Sequence, residues 1–129
     1  MGAVLLDTHA LLWFVFDDPR LSAPGADVIA DPKVTKVLSV VSLWEIAVKL
    51  SIDKLRLGLD FSQFIDSQVT GRDIELLEIR VSHLTGYVAL PMHHRDPFDR
   101  LLVAQALAES LPVVTADERF GVYGVNTVW

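Results

Sequence analysis

The chain contains no cysteine. Disulfides and thiolate metal centres are therefore excluded, and a reducing cytoplasm suits the composition. Positive charge is also scarce: 11 Lys and Arg stand against 17 Asp and Glu, for a net charge of −6. Proteins that hold phosphates usually present a basic surface. That balance argues against nucleic-acid binding unless the acids cluster at metal ions, which reverse the local field. No apolar run is long enough to span a bilayer, so no membrane role is expected. The opening stretch "MGAVLLDTHALLWFVF" carries Asp7 and His9 and has no basic start, unlike a secretory signal. Leu6 stands where a myristoylation signal wants Ser or Thr. Repeats, low-complexity tracts and linkers are lacking too. What is present is 129 residues with 51% apolar content, enough for one domain, residues 1–129, with a real core.

Short apolar runs alternate with helical patterns. Ala3 to Leu6 reads as a buried strand, and Thr8 to Phe16 as a helix closed by "DDPR". Ser22 to Ala30 reads as a second helix, stopped at Asp31-Pro32. Val37 to Val41 is β-branched and apolar, which predicts a second strand. The helix after it places Leu43, Ile46, Ala47 and Leu50 on one face. "LRLGL" at 55–59 is an irregular connection. "DFSQFIDSQVTG" predicts a helix with Asp60 at its N-cap, Gln63 three residues on, and Gly71 as its stop. "IELLEI" at 74–79 predicts a third strand, and Ser82 to Leu90 a short helix ended by Pro91. Pro97 to Ser110 is apolar on nearly every side, which predicts burial on more than one face. "PVVTAD" predicts a fourth strand and "VNTVW" an edge strand. Such alternation implies a three-layer α/β/α domain around a mostly parallel sheet of four to five strands. In such sheets ligands bind at the edge where strand C-termini meet helix N-termini.

Five acids fall on that edge. Asp7 follows the first strand, Glu45 lies in the first turn after the second, Asp96 and Asp99 open the long helix, and Asp117 follows the fourth strand. Each has a purely structural explanation. "SLWE" fits a capping box with Ser42 at N-cap and Glu45 at N3, and "DPFD" fits another with Asp96 at N-cap and Asp99 at N3. Asp is common in the turns after strands, which covers Asp7 and Asp117. No cap needs the other acids, however, and like charges on one edge repel. A hard divalent cation between them relieves the repulsion. One or two such ions can activate water and stabilise an in-line displacement at phosphorus.

Four segments carry a resemblance: "LLDTHALLW" at 5–13, "SVVSLWEIAVK" at 39–49, "HRDPFDRLLVAQAL" at 94–107 and "VVTADERF" at 113–120. In order and spacing they span nearly the whole chain, which resembles the PIN-domain ribonucleases, specifically the VapC-like toxins of toxin–antitoxin pairs. The resemblance implies a PIN-like fold and an endoribonuclease dependent on Mg²⁺ or Mn²⁺. It implies that Asp7, Glu45, Asp99 and Asp117 are the catalytic metal ligands, with Asp96 less defined and in an outer role. Thr8 and Thr115 match hydroxyl positions beside the acids, suited to water or phosphate. The mechanism implied is attack by metal-activated water, leaving 5′-phosphate and 3′-hydroxyl ends. The partners implied are RNA, a cognate antitoxin and a second copy of the chain.

Other residues admit two readings each. Arg95, Arg100 and Arg119 either hold RNA phosphates or steady the acids through ion pairs. Lys49, Lys54 and Arg56 are a solvated face or an RNA track. His9, His93 and His94 either assist at phosphate or bond backbone near a helix start. Trp13, Phe14 and Phe16 diverge by about 100° per residue, so one helix face cannot bury them all. An exposed aromatic, Trp13 or Phe16, would suit a helix-in-groove contact with the antitoxin. Trp44 belongs to the core or to the wall of the site. Two other functions compete with this one. An aspartyl-phosphate enzyme wants a late-strand lysine, but no Lys follows Lys54, and His9 stands where a second Asp is needed. A non-catalytic binding module would use the acids only as caps. The sequence leaves RNA and DNA both open as phosphodiester substrates.

Overall fold

The structure, a computed structural model, describes residues 2–129. Five parallel strands form one sheet in the order β3-β2-β1-β4-β5. They are β1 (Ala3–Leu6), β2 (Thr35–Ser39), β3 (Glu75–Leu77), β4 (Val113–Val114) and β5 (Thr127–Val128). In register, Leu6 of β1 sits opposite Leu38 of β2 and Val114 of β4. The helices are α1 (Thr8–Val15), α2 (Ala23–Ala30), α3 (Val40–Ser51), α4 (Phe61–Phe64), α5 (Val81–Ala89), α6 (Pro97–Glu109) and α7 (Arg119–Val122).

The pleat of β1 makes the three layers. Val4 and Leu6 point to one face and pack with Leu11, Ile29, Ile46 and Phe64 from α1–α4. Leu5 points to the other and packs with Leu102, Val103 and Phe120 from α6 and α7, while Tyr87 of α5 lies against that cluster. Strands covered on both faces must be apolar throughout, which is why β1 reads as a continuous run. Residues 100 to 106 of α6 are all buried, as its all-round apolarity predicts. Its one buried amide, Gln105, accepts from the Ser39 hydroxyl and donates to the Glu78 carbonyl at 3.3 Å. No described helix is long and apolar enough to cross a membrane.

Three local expectations are corrected. Val40 and Val41 are not strand but the first turn of α3. Ser39 leaves the sheet with extended dihedrals, and its hydroxyl accepts from the Val41 N–H at 3.0 Å, so Ser39, not Ser42, is the N-cap. That moves Glu45 from the first turn to the second, and it caps nothing. The helix opened by Asp60 has its capping box, but after Phe64 it relaxes into a π turn over Ile65–Val69 and a 3₁₀ turn over Thr70–Arg72. The left-handed stop is Asp73, with φ of 56°, and not Gly71. At Gly71 the constraint is close approach: a Cβ there would lie 3.0 Å from the Asp66 carbonyl oxygen. The strand predicted over 74–79 keeps only Glu75–Leu77.

Strand order explains where a site can form. From β1 the chain moves outward through β2 and β3, then returns to the other side of β1 for β4 and β5. The reversal opens a crevice at the C-terminal ends of β1 and β4. Asp7 follows β1 and Thr115 follows β4 directly, so both sit in that crevice by topology.

Candidate active site

Thr115 links the two sides of the crevice. Its buried hydroxyl donates to Asp7 Oδ2 at 2.5 Å and accepts from the Asp117 N–H at 3.0 Å. Asp7 Oδ1 accepts from the Ala10 N–H at 2.7 Å, capping α1. Asp7 is buried, and burial raises its pKa despite the Thr115 and Ala10 bonds, which act to lower it. Thr8 is buried, and its hydroxyl donates to Ser42 Oγ at 2.9 Å. It ties α1 to α3 and is not aimed at a substrate.

Glu45 enters from the second turn of α3 and is buried. Oε2 accepts from Lys49 Nζ at 2.9 Å, one helical turn on. Oε1 is buried and has no partner among the described residues. An unpaired buried carboxylate oxygen is costly, which makes it a pointer to a missing cation.

Asp96 caps α6 as expected: Oδ1 accepts from the N–H groups of Phe98 at 2.8 Å and Asp99 at 3.3 Å. The return half of that capping box is absent. The Asp96 N–H donates instead to His94 Nδ1 at 3.1 Å. Asp99 is thereby left free to face the crevice. Burial first, then the charges of Asp96, Glu45, Asp7 and Asp117, push its pKa up to about 7. Asp117 is opposite in character. Burial works to raise its pKa, but the bonds from Arg119 and His94 outweigh it and hold the group below its ordinary value. Arg119 Nε and Nη2 donate to the two Asp117 oxygens at 3.0 and 3.1 Å.

Asp7, His94, Asp96, Asp99, Asp117 and Arg119 line a cleft of about 590 Å³. Glu45 lies behind it, close enough for its charge to raise both Asp7 and Asp99. The four acids matched by resemblance thus gather in one place, with Asp96 beside them. Arg100 does not join them. It is buried, donates to the Pro91 carbonyl at 3.0 Å and the Tyr123 hydroxyl at 3.1 Å, and stacks 4.8 Å over the Tyr87 ring. Buried and occupied, it cannot reach a phosphate, and the expectation that it positions substrate is overturned. Arg95 is exposed beside the cleft. Trp44 is 56% exposed and meets Phe98 edge-on at 4.7 Å, so it is a rim residue and not core. Arg119 takes the ion-pair alternative offered for it, on Asp117, whereas sequence reading missed the double contact of His94 with Asp99 and Asp117. The His-x-Asp spacing at 94–96 is the signal for how that ring is oriented, because a ring Nδ1 can accept from the N–H two residues on.

The carboxylates offer hard oxygen donors, one buried oxygen is orphaned, and Asp99 pairs with no Lys or Arg among the described residues. These residues fit a divalent cation of the Mg²⁺ or Mn²⁺ type.

Fold and site together define a class: a parallel α/β domain with an acidic, oxygen-donor cleft at its topological switch point. Residues 4–126 match the profile of the PIN domain, and the chain belongs to that family. Among curated relatives, it is 28% identical to Ribonuclease VapC22 of Mycobacterium tuberculosis over 120 residues, 92% of this chain and 90% of the relative. Among solved structures, VapBC2 from Rickettsia felis, bound to a DNA fragment from its promoter, shares the fold. Its TM-score is 0.72 at 16% identity, covering 97% of this chain and 96% of that one. FitAcB from Neisseria gonorrhoeae is similar over 96% of this chain and 95% of that one, with a TM-score of 0.66 at 18% identity.

Proposed function

We propose that this chain is a metal-dependent endoribonuclease, the toxin of a toxin–antitoxin pair that inhibits translation or growth. The observation that carries the reading is Glu45. It caps nothing, it is buried, and one oxygen lacks a partner, so a binding module with ornamental helix caps does not account for it. The similarity to a VapC ribonuclease and to VapBC and FitAcB structures supports the same conclusion.

Asp7, Glu45 and Asp99 are the principal ligands for Mg²⁺ or Mn²⁺, one or two ions, with Asp117 completing the set directly or through water. When bound, the cation supplies an activated water and stabilises charge on the leaving 3′-oxygen. The chain's own residues do the rest. Thr115 holds Asp7 and the turn of Asp117 in register. Asp96 starts α6 so that Asp99 points into the cleft. Arg119 steadies Asp117, and exposed Arg95 offers a donor for an RNA phosphate.

The antitoxin seat is a groove of about 400 Å³ beside the cleft, lined by Leu12, Trp13, Phe16 and Leu55 among others. Phe16 is exposed, and Lys49, Lys54 and Arg56 stand around that apolar floor. An amphipathic segment with acidic flanks would fit both features. A homodimer belongs to the same reading. Val81, Leu84 and Val88 form an exposed apolar stripe along α5, suited to a second copy. The cytoplasm, where RNA is at hand, is the place of action.

The test is incubation of the purified protein with total RNA, with and without Mg²⁺ or Mn²⁺, alongside Asp7→Asn. Metal-dependent cuts with 5′-phosphate ends, lost in the variant, are expected. Equal cleavage by the variant, or cleavage that survives chelation, would sink the reading.

A further inference from the structure

His94 is a histidine among metal-ligand candidates, yet its geometry gives it another task. Its ring is buried. The donor atoms of His94, Asp99 and Asp117 lie within 4.8 Å of one another, close enough for a cation to sit among them. The bonds of the ring decide against His94 as its ligand. Nδ1 accepts the Asp96 backbone N–H at 3.1 Å, so Nδ1 carries no proton. In the neutral ring the proton is then on Nε2. Nε2 donates to Asp117 Oδ2 at 2.9 Å and lies 3.0 Å from Asp99 Oδ2. A nitrogen that carries a proton has no free lone pair for a metal ion.

We infer that His94 is a positioning residue, locked by the Asp96 N–H in the tautomer that sets its Nε2–H between Asp99 and Asp117. It holds two like-charged ligands at a fixed spacing. The inference rests on the metal-site reading above. One backbone N–H, at the N-cap of α6, thereby governs both the aim of Asp99 and the tautomer of the ring that faces it. Outer partners that orient ligands typically alter metal affinity by about 10–100-fold when removed.

The experiment measures Mn²⁺ binding by electron paramagnetic resonance in wild type, His94→Ala, His94→Gln and Asp7→Asn. Electron spin-echo spectra of the Mn²⁺ complex are recorded for wild type. A glutamine amide can place its N–H near the Nε2 position, so it tests the donor without the ring. We expect His94→Ala to weaken Mn²⁺ by about 10–100-fold. His94→Gln should recover most of that loss, and the wild-type spectrum should lack the coupling of a directly bound ¹⁴N. Direct ¹⁴N coupling makes His94 a ligand and overturns the inference. So does wild-type affinity in His94→Ala. If His94→Ala fails to fold, a His94→Gln variant that folds but loses Mn²⁺ as severely as Asp7→Asn overturns it as well. Absence of Mn²⁺ binding by wild type would instead refute the underlying metal site.

Discussion

Removing the charge of Asp99 should stabilise the metal-free protein while destroying its activity. The carboxyl is raised from 3.8 to about 7, by burial and by four neighbouring acids. Folding therefore strengthens proton binding at Asp99. The resulting stabilisation is complete below about pH 4 and disappears as pH rises through about 7. The full span corresponds to about 4 kcal/mol, at about 1.4 kcal/mol for each pH unit. The side chain is 26% exposed, so solvent screening reduces this, and ~2 kcal/mol is the working figure. Asp99→Asn keeps the shape and carries no charge at any pH. Thermal melts in chelator should show wild type losing ground to the variant between pH 5 and pH 8. The gap at pH 8 should reach roughly 8 °C for a chain of this size. RNA cleavage by the variant should be absent. Melting temperatures that differ equally at both pH values would refute the electrostatic account of Asp99. A variant less stable at pH 8 would do so more strongly.

Three other perturbations separate the roles of neighbouring groups. Mn²⁺ at a hundredfold excess over its Kd should add about 2.7 kcal/mol to wild-type stability, and calorimetry should find most of that gone in Asp7→Asn. Thr115→Val keeps the shape but removes the donor to Asp7 and the acceptor for the Asp117 N–H. Urea unfolding should show a loss of ~2 kcal/mol, and Mn²⁺ titration a weaker site; no change in either would show that the hydroxyl does not organise the acids. Arg100→Ala should cost ~3 kcal/mol, because it removes a buried side chain that donates to the Pro91 carbonyl and the Tyr123 hydroxyl and packs over the Tyr87 ring, and leaves a cavity in its place. Its RNA affinity should keep the wild-type salt dependence, whereas a smaller salt slope would return Arg100 to the phosphate contacts.

What was legible in the sequence was local or topological. Asp96-Pro97 names a helix start from two adjacent residues, and the structure reproduces it. Asp7 and Asp117 follow apolar runs, and placing them on one edge needed only the parallel order of the strands. A helix start at Ser42 puts Glu45 on the right edge, but the helix starts three residues earlier, at Ser39. Val40 and Val41 have strand propensity, but Ser39 caps α3 before they can extend β2. The roles of Arg100 and Thr115 were hidden because their partners are remote in sequence. Arg100 is occupied by Tyr123, 23 residues away, and Thr115 by Asp7, 108 residues away. No periodicity reports such pairings. The π turn after Phe64 was equally hidden, since "DFSQFIDSQVTG" carries a helix start but no mark of where the winding changes.

The acids divide by whether they also hold the fold. Asp7 caps α1, Asp96 caps α6, and Asp117 accepts from the Arg119 backbone N–H. Each of these would have a place in a protein without a metal. Glu45 and Asp99 cap nothing. They are the two whose carboxylates the protein leaves poorly compensated, one with an orphaned oxygen and the other with a pKa near neutrality. A cation is the one ligand class that relieves both together, because it satisfies the oxygen and opposes the repulsion. It also resolves the net charge of −6. On the proposed function, positive charge at the reacting phosphate would come from the ion, and the chain would need only a few exposed arginines to hold the rest of the strand.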